Sequence, residues 1–255
     1  MEEKQNYLND RIEGRNPVIE ALRSGREIDK ILVAKGETEG SVSIILSKAR
    51  ERGIQVQEVD RRKLNELSET GNHQGVLAFV AMHEYAEVSD LLKRAEEKGE
   101  TPFLIALDQL TDPHNLGSVI RTANAVGAHG VIIPKRRAVG LTAVVAKTAA
   151  GALEYTPVAK VTNLTRTLEE LKEKGIWVIG ADMGGTPLFK SDLKGPICLV
   201  IGAEGDGISR LVRETCDMMV SIPMNGEIES LNASVAAGIM MYETLRQRET
   251  GKGGK

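Results

Sequence analysis

One segment of the chain combines residue types and spacings that could support catalysis: an asparagine, a glycine and an arginine. Residues 108–123 contain Asn115, Gly117 and Arg121. Arg121 follows Gly117 by four positions and shares its face of a helix, whereas Asn115, six positions before Arg121, does not. Because glycine weakens a helix by about 1 kcal/mol relative to alanine, Gly117 predicts a closely packed neighbour. A surface arginine with a helix-capping asparagine and a catalytic pair are both open interpretations.

A glycine-rich loop follows the apolar segment that ends at Ile201. Its glycines, Gly202, Gly205 and Gly207, have the spacing G-x-x-G-x-G. Such a loop lets a ligand approach the backbone, and the next helix offers free N–H groups. Glu204 is either an exposed turn residue or a side chain aimed into a site. The spacing matches neither the dinucleotide fingerprint nor a P-loop, which disfavours NAD and ATP.

The third candidate segment spans residues 221–234. A predicted strand stops at Pro223, a polar turn follows, and Ser230 is placed to cap the last helix. Capping alone explains Ser230 and Asn232. A turn of apolar and amide groups beside a glycine loop also suits an uncharged ring such as adenine, bound through backbone hydrogen bonds.

Alternating apolar and amphipathic stretches indicate the elements that position these segments. From residue 102 onward the predicted strands are 103–107, 131–133, 155–161, 176–179, 197–201 and 219–222. The predicted helices are 116–126, 141–150, 163–174, 207–214 and 230–247. Several strands are continuously apolar, as in parallel sheets covered on both faces. The pattern predicts an α/β fold with a doubly wound sheet and ligands at the carboxyl ends of its strands.

The first part of the chain predicts a separate, smaller α/β domain over residues 1–81. Its predicted helices are 16–22, 41–52 and 61–67, and its predicted strands are 30–34, 56–59 and 75–80. Residues 82–101 are charged and largely helical, which predicts a linker with an embedded helix. The second domain is predicted over 102–247, and residues 248–255 are predicted as a flexible tail.

The overall charge and aromatic content argue mildly against an RNA partner. Lys and Arg total 33 against 36 Asp and Glu, a formal net charge of -3. Phe, Trp and Tyr number three, one and four. Nucleic-acid-binding domains usually carry excess positive charge, and single-strand binders carry stacking aromatics. Local basic patches are nevertheless compatible with these totals.

Several features bear on compartment and metal binding. The first residues lack the basic and apolar regions of a signal peptide, and no apolar run approaches the ~20 residues that span a bilayer. Cys198 and Cys216 lack C-x-x-C spacing, which favours reduced, buried thiols and a cytoplasmic location. The four histidines form no metal-binding pattern, so no metal site is expected. His73 is expected to be structural.

The candidate segments resemble the three signature motifs of the TrmH/SpoU family, the 2′-O-ribose methyltransferases of the SPOUT superfamily. The matching stretches are Asn115–Arg121, Gly202–Gly205, and Ile222–Met224 with Ser230–Ser234. In the first half, Glu13–Leu22 and Asn72–Val76 are similar to the branch that methylates a guanosine ribose in 23S rRNA. That branch carries a small amino-terminal RNA-binding domain resembling ribosomal protein L30.

The resemblance implies a SPOUT-type parallel sheet with a carboxyl-terminal trefoil knot, and a homodimer. It implies S-adenosylmethionine as methyl donor, contacted by Gly202, Gly205, Ile222, Met224 and Leu231. The implied catalytic residues are Arg121, Glu204, Asn115, Ser230 and Asn232. In the family, Arg121 is the favoured activating residue. Because guanidinium is almost always protonated, binding the adjacent phosphate and stabilising the developing alkoxide is a more defensible role than general base.

Candidate RNA contacts lie in both halves of the chain. Lys135, Arg136 and Arg137 follow a predicted strand, and Arg15 lies in the first domain, where a solvated charged face is an equal alternative. The preferred function is methyl transfer to a guanosine ribose of 23S rRNA. Alternatives are a tRNA or different rRNA ribose, and a non-catalytic RNA-binding protein on the same fold. A nucleotide-dependent enzyme is disfavoured by the absent phosphate-binding motifs.

Overall fold

The computed structural model describes residues 11–68, 70–80, 83–227 and 230–252. Its chain divides into two compact units with a boundary between Glu84 and Tyr85, and residues 140–143 are grouped with the first unit. Along the described ranges, no helix is both long and apolar enough to cross a lipid bilayer.

The first unit contains a four-stranded sheet with the order β1-β4-β2-β3. Only the pair β2/β3 is parallel among the pairs of this sheet that the structure describes. The strands are β1 (Arg11–Glu13), β2 (Ile28–Ala34), β3 (Gln55–Val59) and β4 (Val76–Val80). The helices are α1 (Arg15–Arg23), α2 (Ser41–Glu51) and α3 (Arg61–Leu67). The predicted helices and strands of this half are confirmed, and the three-residue β1 was not predicted because it is too short to show a pattern.

The second unit contains a six-stranded parallel sheet with the order β10-β8-β9-β5-β6-β7. The strands are β5 (Phe103–Leu107), β6 (Gly130–Pro134), β7 (Val158–Val161), β8 (Trp177–Pro187), β9 (Ile197–Ile201) and β10 (Met218–Ser221). The helices are α4 (Val88–Glu97), α5 (Pro113–Ala125), α6 (Ala143–Ala149), α7 (Leu164–Glu173), α8 (Arg210–Thr215) and α9 (Ala233–Lys252). Both central strands, β5 and β9, are buried at every residue, which confirms the α/β class with a parallel sheet.

Two strands of this sheet differ from the prediction. β8 continues to Pro187 although its second half is polar and glycine-rich, because it pairs with β10 across an irregularity between Met219 and Val220. Gly185 permits that approach, since a Cβ there would lie 2.5 Å from the Met219 carbonyl carbon. β7 starts at Val158 rather than at residue 155, because residues 152–154 form a turn of 3-10 helix.

The segment predicted as a linker, residues 82–101, carries a helix that packs into the second unit. Leu91 and Ala95 of α4 are fully buried, and Leu91 belongs to the core formed by β5, β6 and β9. Gly130 makes room for it, because a Cβ at Gly130 would lie 2.3 Å from the Leu91 Cγ. Apart from residue 82, which lies outside the described residues, this segment is therefore largely part of the second unit.

The last helix extends into the predicted flexible tail, residues 248–255. α9 reaches Lys252, and the Arg248 guanidinium donates to the carbonyl oxygens of Thr101, Pro102 and Gly195. The same guanidinium lies 4.9 Å from the centre of the Phe103 ring. These contacts fix the end of α9 against the start of β5 and β9, and residues 253–255 lie outside the described residues.

Candidate active site

Three side chains from the three candidate segments form one hydrogen-bonded cluster, which we name the Asn–Glu–Asn network: Asn115, Glu204 and Asn232. The Asn115 Nδ2 donates to Glu204 Oε1 over 2.9 Å, and the Asn232 Nδ2 donates to Asn115 Oδ1 over 2.9 Å. Asn232 also donates to Glu204 Oε1, as does the backbone N–H of Ala233. The network joins residues that lie 89 and 117 positions apart in the chain.

The first turn of α5 directs Asn115 into this network. Asp112 caps the helix, because its Oδ1 accepts the backbone N–H of Asn115 over 2.9 Å, and Pro113 occupies the first helical position. Asn115 is buried and uses its side chain for the network rather than for capping. Asp112, and not Asn115, is therefore the helix cap.

Close packing behind α5 explains its glycine. A Cβ at Gly117 would lie 2.5 Å from the Thr148 Cβ and 2.9 Å from the Val145 carbonyl oxygen, both on α6. The predicted close neighbour of Gly117 is confirmed. α5 also packs against α9, which begins immediately after Asn232.

The glycines after β9 serve the turn itself. Ala203 and Gly207 form an isolated antiparallel bridge that closes the loop, and a Cβ at Gly202 would lie 2.1 Å from the Gly207 carbonyl carbon. Gly205 has a φ of 83°, in the region that favours glycine. The closed turn holds Glu204 at its tip.

Asp108 fixes the far end of this loop and was missed by the sequence reasoning. Its carboxylate is buried at the end of β5 and accepts the backbone N–H of Ser209 over 2.7 Å, immediately before α8. Its own N–H donates to the Ile201 carbonyl oxygen over 2.8 Å. A lone acidic residue directly after a continuously apolar strand was the signal that could have indicated it.

The start of the last helix also differs from the prediction. Asn232 Oδ1 accepts the backbone N–H groups of Ser234 and Val235 over 3.0 and 3.3 Å. α9 begins at Ala233, so Asn232 is its cap, and the prediction that Ser230 caps the helix is wrong. The Asn232 side chain therefore caps the helix through Oδ1 and donates hydrogen bonds to the network through Nδ2.

A cavity of about 330 Å³ opens beside the network. Its lining residues are Leu110, Thr111, Asp112, His114, Asn115, Ala203, Glu204 and Asn232. The network thus forms part of a wall that a ligand can reach. The turn between β5 and α5 supplies most of the rest.

The other predicted site residues lie outside that lining. Gly202 is buried, Gly205 and Met224 are exposed, and Ile222 and Leu231 are half-buried in the segments on either side of the network. Arg121 and Ser230 are exposed. The side chain of Arg121 makes no hydrogen bond or ion pair with the residues that the structure describes.

The basic candidates divide into two kinds. Lys135, Arg136 and Arg137 are exposed directly after β6, and Arg137 adopts a φ of 56°, which is unusual for a residue other than glycine. Arg15, in the first unit, instead contacts Glu37 over 2.6 Å and donates from Nε to the Gln74 carbonyl oxygen over 3.0 Å.

The thiols and the buried histidines have structural surroundings. Cys198 is buried and Cys216 is half-buried, and burial raises the pKa of the Cys198 thiol and raises the pKa of Cys216 to about 11. His73 is buried and bonded to Asn65 and to the backbone N–H of Gly75. Burial lowers the pKa of His129, whose ring bonds to Glu100 and Phe103. Within the described ranges, no group of three His, Cys, Asp or Glu side chains could hold a metal ion.

Comparisons with known proteins identify the family of the chain. Residues 102–242 match the SpoU rRNA methylase family, and residues 11–86 match the family described as RNA 2′-O ribose methyltransferase substrate binding. A protein of Bacillus subtilis (strain 168), YacO, assigned by name to the TrmH family of tRNA/rRNA methyltransferases, is 55% identical over 240 residues, 94% of this chain and 96% of the relative.

Solved structures give the same result. The SpoU methyltransferase AviRb from Streptomyces viridochromogenes, in complex with the cofactor AdoMet, has a TM-score of 0.61 and 28% identity, and the match covers 94% of this chain and 91% of that one. An AdoMet-bound rRNA methyltransferase from Sinorhizobium meliloti has a TM-score of 0.57 and 26% identity over 92% and 86% of the two chains. The chain belongs to the TrmH/SpoU family of RNA methyltransferases.

Proposed function

We propose that this protein transfers a methyl group from S-adenosylmethionine to a ribose 2′-hydroxyl of RNA, with a guanosine of 23S rRNA as the preferred target. The observation that carries the proposal is the Asn–Glu–Asn network, because it joins one side chain from each of the three motif segments beside an open cavity. AdoMet in the structure of AviRb supports the choice of donor. The match of residues 11–86 supports the ribose hydroxyl as acceptor.

The five donor-binding candidates are Gly202, Gly205, Ile222, Met224 and Leu231. They combine glycines with half-buried or exposed apolar side chains, which fit an uncharged adenosine moiety held through backbone groups. The sulfonium carries its own positive charge and leaves as a neutral thioether. The protein has therefore to align donor and acceptor and to accommodate the departing hydroxyl proton.

In this proposal the polar residues position the acceptor. Asn115, Glu204 and Asn232 orient the ribose, together with Ser230. The Arg121 guanidinium binds the adjacent phosphate and stabilises the developing alkoxide, because it remains protonated.

The exposure of Arg121 and Ser230 fits a site completed at the interface of a homodimer. Val235 and Tyr242 are exposed apolar residues two turns apart on α9, and they suit such an interface. We further propose the trefoil knot of the SPOUT superfamily for the second unit. A cytoplasmic location accompanies an RNA substrate of this kind.

RNA binding is assigned to two regions. Residues 1–81 form the L30-like substrate-binding domain and residues 102–247 the methyltransferase domain, and α4 of the segment between them packs into the methyltransferase domain. Lys135, Arg136 and Arg137 offer three exposed cations at the carboxyl end of a strand, where ligands of parallel sheets bind. Arg15 is the candidate contact of the first unit.

Calorimetry with S-adenosylmethionine, NAD and ATP tests the donor. Binding of the first alone is expected, and its failure to bind contradicts the proposal. Mapping of 2′-O-methyl groups across total RNA from a deletion strain identifies the target. A missing guanosine mark in 23S rRNA is expected, whereas a missing tRNA mark or a mark elsewhere in rRNA establishes the alternative substrate.

A non-catalytic RNA-binding protein on this fold is the second candidate. The complete network speaks against it, because polar side chains from three distant segments converge on the lining of one open cavity, which packing alone does not require. Unchanged ribose methylation in the deletion strain, with RNA binding retained, would favour this candidate.

A further inference from the structure

One face of the sheet in the first unit is only partly covered by a helix. On this face Leu32 and Leu77 form a buried cluster with Leu64 of α3. Lys30 and Phe79 belong to the same face, because each lies two residues along its strand from a member of that cluster. Both are half-buried, so the cover that α3 provides ends before it reaches them.

Four side chains cross this part of the face, and we name them the cross-strand row: Arg11, Phe79, Lys30 and Gln55. Consecutive members lie directly opposite each other on the neighbouring strands β1, β4, β2 and β3. Residues opposite each other in a sheet point to the same face. The row therefore presents a cation, an aromatic ring, a second cation and an amide side by side.

The two cations of the row both contact the ring between them. The Lys30 Nζ lies 4.7 Å from the centre of the Phe79 ring, and the Arg11 Cζ lies 5.8 Å from it. Arg11 is anchored further, because its Nη1 donates to the Leu67 carbonyl oxygen over 2.9 Å. Lys30 makes no hydrogen bond or ion pair with the described residues. Its ammonium can therefore leave the ring for an anion while Arg11 stays in place.

The opposite end of the same sheet treats its cations differently. There Arg15 and Arg61 both contact Glu37, and Lys35 contacts Asp60. Carboxylates of the first unit thus neutralise those cations. The members of the cross-strand row include two cations and no carboxylate, so the row offers positive charge and a π surface to one ligand.

An unpaired nucleotide is the ligand that suits this combination. Single-stranded RNA is recognised by stacking its bases on aromatic side chains, with cations at the neighbouring phosphates. A duplex keeps its base faces within its own stack, so it could use the cations of the row but not the ring. All four members of the row lie within residues 11–86, the part of the chain that matches the substrate-binding family.

We propose that the cross-strand row binds an unpaired nucleotide of the RNA substrate, with its base stacked on the Phe79 ring. The Lys30 ammonium moves from the ring to an adjoining phosphate, and the anchored Arg11 guanidinium flanks the base on its other side. The exposed Gln55 amide offers a donor and an acceptor to the edge of the base. This assignment rests on the proposed function, which takes RNA as the substrate, and adds that the substrate presents an unpaired nucleotide.

The first test compares two RNA probes in titrations of the full-length protein. One is a labelled twelve-nucleotide strand of A and C, which cannot pair with itself, and the other is an RNA duplex of the same length. Phe79→Leu keeps an apolar side chain beside the Leu64 cluster but removes the ring. It should weaken binding of the single strand about 10-fold and change binding of the duplex less than twofold. Phe79→Tyr keeps the ring and should bind both probes as the unmodified protein does.

The second test concerns the phosphate contact. Lys30→Gln removes the charge and should reduce the salt slope of log K for the single strand by about 0.7. Lys48→Gln is the matched control, because Lys48 is also half-buried and its side chain makes no hydrogen bond or ion pair with the part of the chain that the structure describes. Lys48 lies on α2, which packs on the opposite face of the sheet, so the slope should not change.

Several results would overturn the proposal. They are failure of the unmodified protein to bind the single strand, single-strand binding by Phe79→Leu within threefold of the unmodified protein, an equal loss for the duplex, and an equal loss in Phe79→Tyr. Equal salt slopes for Lys30→Gln and Lys48→Gln would also contradict it. Methyl transfer is measured separately. If the unmodified protein transfers no methyl group to RNA, the proposed function fails, and the titrations still decide whether the row binds a nucleotide.

Discussion

Arg15 and Arg121 show how differently the two units use an arginine. Arg15 contacts Glu37 and the Gln74 carbonyl oxygen, and its own backbone N–H donates to the Gln74 side chain. Arg121 is exposed on α5, and its side chain has no hydrogen bond or ion pair to the part of the chain that the structure describes. The first cation is satisfied within the fold, whereas the second is available to a ligand.

The polar contacts of the two units differ in the same way. In the first unit the contacts of Arg15 are with residues of the same unit. Glu13 of that unit accepts hydrogen bonds from the hydroxyls of Ser68 and Thr70. In the second unit the Asn–Glu–Asn network lines an open cavity. Polar contacts between distant residues therefore do not by themselves indicate a functional site. Polar contacts that line an open cavity are the better indication.

The largest effect expected from substituting one of these two arginines is on catalysis. Arg121→Ala should reduce methyl transfer about 100- to 1,000-fold, because it removes the group that we propose stabilises the developing alkoxide. Binding of S-adenosylmethionine should persist. The measurement is single-turnover transfer alongside calorimetry.

Arg166→Ala is the control for that variant, since Arg166 is an exposed arginine on α7 that pairs only with Glu170 on its own helix among the contacts described. It should keep full activity. Arg15→Ala should instead lower the free energy of unfolding by about 1 kcal/mol through its lost hydrogen bonds. Retained turnover in Arg121→Ala would remove that residue from the mechanism.

The second prediction concerns two glycines of the same loop. Gly202→Ala should lower the free energy of unfolding by about 1–3 kcal/mol and weaken donor binding, because its Cβ would meet the Gly207 backbone at 2.1 Å. Gly205→Ala has nothing within 4 Å of its Cβ and should cost about 1 kcal/mol from its φ of 83° alone. Chemical denaturation and calorimetry measure both, and equal effects would show that the closed turn is not what Gly202 provides.

The third prediction compares cations in RNA binding. Arg136→Ala should weaken RNA binding and reduce the salt slope of log K by about 1, since an exposed cation that contacts a phosphate releases a counterion. Arg15→Ala should change the slope less, because Glu37 already neutralises its charge. Titrations at several salt concentrations measure this, and a larger slope change for Arg15 would identify the first unit as the main phosphate contact.

The fold was predictable where the pattern is local. β5 and β9 occupy the predicted residues because continuous apolar runs are typical of central parallel strands. The second half of β8 contains Gly184 and Gly185 and carries no such run, so only its pairing with β10 reveals it. α4 was predicted as a helix, but its charged composition concealed that Leu91 is a core residue.

The site was predictable as three segments and not as one network. Helical spacing separated Asn115 from Arg121, and nothing local could join Asn115 to Asn232, which lies 117 positions away. The resemblance to a family supplied that link. Asp108 and the capping role of Asn232 depend on where α8 and α9 begin, and element boundaries follow from such hydrogen bonds rather than from periodicity.

The smallest predicted effect is on stability at acid pH and concerns His129 in the second unit. Like the side chain of Arg15, its ring is hydrogen-bonded within the fold. Burial lowers the pKa of His129 in the folded protein, so the unfolded chain binds more protons than the folded one just below the ordinary histidine value of about 6.5. The free energy of unfolding should be fully retained above that pH and fall as the pH decreases through the folded-state value.

Glu100 opposes the shift in the pKa of His129, because its hydrogen bond and charge favour the protonated ring. Glu100→Gln should therefore widen the pH interval over which stability is lost, and denaturation between pH 5 and 7.5 measures both slopes. An unchanged interval would mean that the Glu100 charge does not reach the ring.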